Sequence, residues 1–301
     1  MAKFFSDLKA IWSPDALKRI GRKALDDDCF GLAGQMAYFV LFSLFPLLMF
    51  LVALTGLVVE DPEAALNTLT ESMQGILPGD TVALLERYID RTLREAGAGV
   101  LFIGILAALW AGSAASSALI KAANRAYESR ETRPLWAVWT ISVLMVLLFA
   151  LLIGALSLVV FSPETGSFLL RLTGFPDFFL PFWDVLRWVV AFVAVTLVHD
   201  VFYYVAPNVD LPFKWVTPGG LTATVLILIA SVALSFYVGN VGRYDQLYGQ
   251  LGTVIVLMLW LYITGFMVIL GLEMNAVLAR MVEERRDAQI FQPEGPANDD
   301  S

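Results

Sequence analysis

Six apolar stretches, each long enough to cross a lipid bilayer, make up most of this chain. The hydrocarbon core of a bilayer is about 30 Å thick, and a helix needs about 20 apolar residues to cross it. A soluble protein has no reason to repeat that length six times. The chain is therefore predicted to be an all-α, polytopic membrane bundle of six transmembrane helices. The spans are predicted at about 31–59, 99–126, 135–162, 183–206, 216–240 and 249–279.

The composition leaves room for one membrane domain and two short tails. Of the 301 residues, 58% are hydrophobic and 16% are charged. We divide the chain into a basic, amphipathic cytoplasmic segment (1–30), a six-helix membrane domain (31–280) and an acidic, disordered cytoplasmic tail (281–301). A polar-to-amphipathic segment of about 30 residues precedes the first apolar run, which is longer than a signal peptide requires. The first span is therefore predicted to be a retained anchor.

Charge and cysteine content exclude several classes of function. The net charge of −8 argues against nucleic acid as a partner, because phosphate binding needs a basic surface. The single cysteine, Cys29, rules out disulfides within the chain and cysteine-rich metal sites. Metal-assisted cleavage of phosphodiesters needs a cluster of acids or histidines, and this chain has one histidine and no dense acidic motif. No enzyme activity, cofactor or metal is predicted.

The distribution of basic residues predicts the orientation of the bundle. Most of the 20 lysines and arginines lie before the first span, between the second and third spans, or after the sixth. Cytoplasmic segments of membrane proteins carry an excess of these residues. Both termini are therefore predicted to be cytoplasmic.

Short amphipathic helices are predicted outside the spans, at the N-terminus and in the first outer loop. Ser13 followed by Pro14 is typical of a helix start. The basic helix that follows either lies on the inner leaflet or stays solvated. In the outer loop (60–98), a turn at 78–81 is followed by apolar residues at helical spacing. The loop helices either form a lid over a cavity or pack over the helix ends.

Polar residues in the even-numbered spans collect near the predicted cytoplasmic ends. Charged residues in a membrane pair with one another or face a cavity, so Lys121 and Arg125 are predicted to neutralise Asp200 and Glu273. The cluster is either a transport or gating site or a static polar lock, and His199 beside Asp200 also allows a proton relay. The members of this predicted pathway or polar cluster are Lys121, Asn124, Arg125, His199, Asp200, Glu273 and Asn275.

A second set of residues is predicted to line a cavity or to bend the helices. Gln35 and Tyr38 share one face of the first span, with hydrogen bonding between helices as the alternative to a cavity. The predicted cavity lining is Gln35, Tyr38, Ser43, Tyr248, Trp260 and Tyr262. A broken membrane helix needs protein or water to satisfy its freed backbone groups. The predicted breaks or hinges are Pro46, Pro207, Pro218, Gly219, Gly249 and Gly252.

Short motifs spread over residues 30–280 form an ordered set. They are Tyr38 with Phe42-Ser43-Leu44-Phe45-Pro46, Trp110, Asn124 with Tyr127, Pro218-Gly219, Phe236-Tyr237-Val238, Tyr248-Gly249 with Leu251-Gly252, Trp260 with Tyr262, and Gly271-x-Glu273 with Asn275. In this order they resemble the YihY/BrkB family of bacterial inner-membrane proteins, formerly labelled ribonuclease BN. The resemblance implies a multi-pass helical bundle of the bacterial inner membrane, with links to envelope integrity, serum resistance and export of a lipid or another substrate.

The main functional prediction is a transporter or exporter of an anionic lipid-like or small solute that supports the envelope. Lys121 and Arg125 would attract the anionic group, and Asp200 and Glu273 would balance or release it. The alternative is a non-transporting scaffold of envelope machinery, in which the cluster is a set of closed salt bridges. Membrane lipids are predicted partners; a homo-oligomer and an envelope protein partner remain open.

Overall fold

The protein is all-helical in the ranges that the structure, a computed structural model, describes: residues 12–58, 98–156, 180–240 and 251–290. Six of the helices in these ranges are long and apolar enough to cross a membrane. This confirms the predicted fold class; the predicted outer-loop helices lie outside the described residues. The helices are α1 (Pro14–Asp26), α2 (Cys29–Val58), α3 (Ala98–Ala126), α4 (Leu135–Leu156), α5 (Leu180–Val205), α6 (Pro218–Asn240) and α7 (Leu251–Ile290).

The last helix differs from its prediction by its length. α7 continues to Ile290, so the first ten residues of the predicted disordered tail are helical. Met281 packs on the apolar cluster beneath α1, and Glu284 forms an exposed salt bridge of 2.8 Å with Arg19 of α1. These contacts extend the helix beyond the apolar span because α1 provides a surface on which to fold.

The small residues of α3 place it at the centre of the bundle. Half of its span is buried inside the protein, against 11–22% for the other five spans. Ala111, Ala115 and Ala118 are buried, and a Cβ atom on Gly112 would lie 3.0 Å from the Val146 side chain of α4. Side chains this small let neighbouring helices approach closely. The large apolar side chains of the other spans remain on the outer surface, as contact with lipid requires.

The N-terminal helix packs on protein. Ser13 caps α1 by accepting a hydrogen bond from the Ala16 amide (3.3 Å), with Pro14 in the first turn. Ala16 and Ile20 are buried against Met274, Val277 and Leu278 of α7. Neither predicted environment, the inner leaflet or solvent, accounts for this face of the helix, because α7 already covers it.

Pro46 does not end the first span. α2 is one helix from Cys29 to Val58, with Pro46 inside it. Pro207 follows the end of α5, and Pro218 is the first residue of α6, so these two prolines bound the connection between the helices. Proline suits the first turn of a helix, where its missing N–H would have had no partner.

Candidate functional site

The predicted polar residues gather at one end of the bundle, but they do not form one cluster. We call this the polar end: the end at which α2, α4 and α6 begin and α3 and α5 finish. Buried polar side chains reach it from α3, α5 and α7, whereas Lys121 and Arg125 are exposed on the surface of α3. The buried residues are Asn124, His199, Asp200 and Glu273, each less than 9% exposed, with Asn275 half-buried.

Asp200 holds the beginning of α6. Its carboxylate accepts hydrogen bonds from the amide of Thr217 (3.1 Å) and from the Thr217 hydroxyl. Thr217 in turn caps α6 by accepting from the Gly220 amide (3.1 Å). The Asn275 amide of α7 donates to the Thr217 hydroxyl and accepts from the Gly219 N–H, both at 2.8 Å. The set joins α5, α6 and α7 with each of its polar groups hydrogen-bonded.

Glycines allow the backbones of these helices to touch. A Cβ atom on Gly219 would lie 2.1 Å from the carbonyl oxygen of Gly271, and one on Gly220 would lie 2.1 Å from Asp200 Oδ1. Neither position has room for a side chain. Gly271 was absent from the predicted site residues, although its place two residues before Glu273 in the same motif was the available signal.

His199 and Asp200 bond to different residues, because adjacent side chains on a helix point in different directions. His199 Nδ1 lies 3.1 Å from the Thr224 hydroxyl, which donates to the Gly220 carbonyl oxygen (3.0 Å). Thr196 also reaches the Thr224 hydroxyl at 3.1 Å. The pair therefore does not form the proton relay that its sequence allowed, because each side chain is bonded to its own position on or next to α6.

Glu273 is the acid that lacks a complete set of partners. It is fully buried, and its Oε1 accepts a hydrogen bond from the thiol of Cys29 at 3.6 Å. Its second oxygen, Oε2, is buried without a hydrogen-bond partner among the described residues. The buried Oδ2 of Asp27 lies 2.9 Å from the Lys23 ammonium. Asp27 and Cys29 were missed as site residues; their only signal was their position immediately before the first span.

Arg125 and four other charged residues form ion pairs between helices at the polar end. We define the ionic ring as Lys23, Asp28, Arg125, Glu128 and Arg280. Glu128 accepts from Lys23 (3.2 Å) and from Arg280 (2.8 Å), while Arg125 lies 3.7 Å from Asp28. The hydrogen bond from Lys23, with the charge of Arg280, holds the pKa of Glu128 below its usual range. The ring fastens α1 and the start of α2 to α3 and α7.

The predicted pairing of Lys121 and Arg125 with Asp200 and Glu273 is wrong. Arg125 donates to the Asp27 carbonyl oxygen at 2.9 Å, and Lys121 forms no salt bridge with any residue the structure describes. The rotation of α3 about its axis is the reason: its small apolar residues face the core and therefore direct the two cations outward.

Asn124 organises the connections on the polar end. Its amide donates to Glu131 (2.8 Å) and accepts from the Asn208 N–H (2.7 Å). Arg133 completes this set with salt bridges to Glu131 and hydrogen bonds to the carbonyls of Val205 and Ala206 at the end of α5. Hydrogen bonds from Arg133 and Asn124 lower the pKa of Glu131 to about 2. Asn124 thus has a structural role.

The predicted cavity lining does not converge on a cavity. Leu32, Ala33 and Ala37 form the buried face of α2, so Gln35 and Tyr38 lie on the exposed face. This is a correction, and it follows from the packing of α2 through its small residues. Ser43 donates to the Val40 carbonyl of its own helix (2.7 Å), Trp260 donates to Ser231 (3.0 Å) and Tyr262 packs near Gly34. Gly252 is buried at the start of α7, whereas Tyr248 and Gly249 lie outside the described residues.

A shallow groove opens on the outer surface of α6. It has a volume of about 540 Å³ and is lined by Ser231, Val232, Ser235 and Phe236. The Trp260 side chain, bonded to Ser231, lies at its edge. The groove faces outward and carries two hydroxyl groups, that of Ser235 and that of Ser231, which accepts the hydrogen bond from Trp260.

The described residues contain no group of three or more His, Cys, Asp or Glu side chains placed to hold a metal ion. A metal-dependent phosphodiesterase centre therefore has no candidate among them. Asp200 and Glu273 have different partners: Asp200 accepts from Thr217, and Glu273 accepts from Cys29.

Relatives of known sequence share most of this chain. It is 36% identical to the ribonuclease-like protein YfkH of Bacillus subtilis, over 82% of this chain and 88% of that relative. It is 27% identical to a UPF0761 membrane protein of Alkalilimnicola ehrlichii over 84% of this chain. It is 26% identical to the UPF0761 membrane protein XCC0860 of Xanthomonas campestris over 83%. The chain spans 56% and 57% of the lengths of these last two relatives. No solved structure matches the chain.

The family model described as virulence factor BrkB matches residues 20–294. That range includes the end of α1 from Ile20, all six membrane-length helices and both the Asp200 and Glu273 sites. The resemblance seen in the sequence motifs is confirmed by this match: the chain belongs to the BrkB family of membrane proteins.

Proposed function

We propose that this protein is a transporter of the bacterial inner membrane that exports an anionic lipid-like or small solute in support of the envelope. The observation that carries the proposal is Glu273, a fully buried carboxyl group in a membrane span with one oxygen lacking a partner. Ionisable groups inside a membrane are costly and mark pathways or proton relays unless they are paired. Glu273, with no basic side chain in a salt bridge to it among the described residues, meets that description.

Two surface features of the bundle favour an anionic substrate. Lys121 and Arg125 are exposed on α3 at the polar end, where they would attract an anionic headgroup. The groove on α6 presents Ser231 and Ser235 to lipid, which suits a substrate entering sideways from the bilayer. Asp200 supports the site by capping α6 and is not assigned to the pathway.

Flux into reconstituted vesicles tests the proposal. The purified chain would be placed in liposomes and supplied with a panel of fluorescent anionic lipids and labelled anionic solutes. Glu273→Gln keeps the size of the side chain but cannot bind and release a proton, so flux of the transported substrate should fall at least tenfold. Glu283→Gln is the matched control, because Glu283 is exposed on the same helix, and should transport normally.

Unchanged flux in Glu273→Gln would remove Glu273 from the pathway. Flux that never exceeds protein-free vesicles for any member of the panel, with the helical content intact by circular dichroism, would contradict transport itself.

A membrane scaffold is the second candidate, and one observation favours it. The set formed by Asp200, Thr217, Gly219 and Asn275 is closed, with its polar groups bonded to one another. A static lock of this kind holds helices together without offering a path. The scaffold predicts a stable envelope protein partner in cross-linking of intact cells and no flux in the vesicle experiment.

A further inference from the structure

Two carboxyl groups from distant parts of the chain meet beneath α1. Asp27 lies in the turn between α1 and α2, and Glu273 lies on α7. The two side chains are within hydrogen-bonding reach of each other. As carboxylates, however, both can only accept hydrogen bonds. Glu273 Oε2 is left buried without a hydrogen-bond partner among the described residues, while Asp27 Oδ2, also buried, has the Lys23 ammonium beside it. A proton on one of the two groups turns this contact into a hydrogen bond.

The charges around the pair are too few to balance two carboxylates. The ammonium of Lys23 lies 2.9 Å from Asp27 Oδ2 and is shared with Glu128 at 3.2 Å. Arg280 also pairs with Glu128. Arg125 contacts Asp27 through its carbonyl oxygen and pairs with the carboxylate of Asp28. Asp27 therefore has a cation at its side, whereas no basic residue of the described ranges forms a salt bridge with Glu273.

The remaining groups that face the pair are neutral or distant. Cys29, on α2, donates its thiol hydrogen to Glu273 Oε1. Burial raises the pKa of Tyr127, at the end of α3, to about 12, so its phenol stays neutral. On α5, Tyr203 donates to the Val268 carbonyl at 2.6 Å, and Asp200 is held by Thr217. Asp28 lies on the exposed side of the turn and pairs with Arg125.

We propose that Asp27 and Glu273 form a proton-binding site in which Glu273 carries the proton and donates it to the Asp27 carboxylate. This assignment gives every oxygen of Glu273 a role: Oε1 accepts from Cys29, and Oε2 donates to Asp27. It leaves the charge on Asp27, where Lys23 stabilises it. When the site loses its proton, the proton moves from Glu273 to Asp27 and then to water. Asp27 can release it because its side chain remains 14% exposed.

The proton also controls how α1 is held. With the proton bound, the pair joins the α1–α2 turn to α7. Without it, two buried negative charges face each other and repel, at a cost that low-polarity surroundings increase. Deprotonation should therefore separate the turn from α7 and loosen the ionic ring. A link between this proton and the movement of a substrate rests on the proposed transport function. Proton binding itself can be measured without a substrate.

Infrared difference spectroscopy of the full chain in lipid nanodiscs tests the site. A protonated carboxyl group has a C=O stretching band that is lost on deprotonation, and titration with alkali should remove one such band. The band should be absent in Glu273→Gln, and absent or shifted in Asp27→Asn. It should persist in Glu283→Gln and Asp26→Asn, which change exposed acids on the same helices.

Two results would overturn the assignment. If wild type shows no band that titrates, both groups are ionised. If Asp27→Asn leaves the position and the midpoint of the band unchanged, Glu273 binds its proton alone. The first of these results needs only wild type, so it can overturn the site even if a variant is unstable. Vesicles that transport nothing while the band titrates would contradict transport but not the proton site.

Hydrogen exchange of α1 tests the consequence. After correction for the intrinsic effect of pH on amide exchange, residues 14–26 should exchange several-fold faster above the midpoint of the infrared titration. Glu273→Gln, which cannot lose the proton, should abolish that change. If α1 in wild type is equally protected above and below the midpoint, loss of the proton does not loosen α1. That result would refute the proposed control of α1 by the proton.

Discussion

The carboxylate of Asp200 holds the first turn of α6 against α5. It fits there because Gly220, in that turn, has no side chain. A Cβ atom on Gly220 would lie only 2.1 Å from Oδ1, which is too close for a side chain to be present. The hydrogen bonds from Thr217 keep the carboxylate there. A charge at a helix N-terminus is favourable because the unpaired amides and the helix dipole both stabilise it.

Gly220→Ala should therefore destabilise the bundle. Overpacking of a filled interior costs about 1–3 kcal/mol, and here the obstacle is a carboxylate fixed by two hydrogen bonds. The measurement is the thermal unfolding midpoint in detergent. Gly21→Ala is the control, because a Cβ atom at Gly21 meets nothing within 4 Å. Alanine in the middle of that helix should instead stabilise it, by up to about 1 kcal/mol. Equal midpoints for the two variants would contradict the close approach of α5 and α6.

Glu131 should contribute stability that depends on pH. Its pKa is lowered to about 2 by Arg133 and Asn124, from 4.5. A group with a depressed folded-state pKa stabilises the protein above its unfolded pKa and loses that contribution as the pH falls towards the folded value. The thermal midpoint of wild type should therefore fall more steeply than that of Glu131→Gln below about pH 4.5. Parallel curves for the two proteins would show that the bond to Arg133 does not form in solution.

At the scale of whole helices, α1 is held by its apolar face more than by its charges. The salt bridge from Arg19 to Glu284 is exposed on both sides (49% and 58%), and exposed pairs contribute little. The buried Ala16 and Ile20, by contrast, fit against three side chains of α7. The ionic ring orients α1 on this apolar contact and fixes its position relative to the start of α2.

Ile20→Ala should release α1 from α7. Shortening a buried isoleucine costs about 2–5 kcal/mol where the site cannot collapse, which is enough to detach a single short helix. Hydrogen exchange of residues 14–26 should rise at least tenfold, with little change in the membrane helices. Leu17→Ala is the matched control in the same helix, where Leu17 is 41% exposed. A similar rise in both variants would indicate that burial on α7 does not hold α1.

At the scale of the molecule, the polar end should face the cytoplasm. Six membrane-length helices bring both tails to the same side, and the basic residues before α2 and after α3 favour the inner side. In a Cys29→Ser background, Lys18→Cys and Glu283→Cys should react with an impermeant maleimide only after the inner membrane of spheroplasts is opened. Labelling of either position in sealed spheroplasts would reverse the orientation.

The six spans were predictable because the thickness of the bilayer sets their length and their hydropathy. The partners of the polar residues were not, because they depend on how each helix is rotated about its axis. Small residues such as Gly271, Gly219 and Ala33 decide that rotation, and their effect appears only when two helices meet. Asp27 was missed for the same reason: α1 had to fold onto α7 before its turn met Glu273. The helical part of the predicted tail was recoverable, since Met274, Val277, Leu278 and Met281 repeat at helical spacing.

The contact between Gly219 and Gly271 makes the beginning of α6 a pivot. The two backbones touch there, and the hydrogen bond from the Gly219 amide to Asn275 (2.8 Å) holds this end of α6 against α7. Any motion of α6 relative to α7 must then be a tilt that grows along the helix. α6 has 23 residues and is about 34 Å long, so a tilt of about 10° would move its far end by about 6 Å. Because α6 is held at its beginning, a small change in its angle at the polar end would become a displacement of several ångströms at the opposite surface of the membrane.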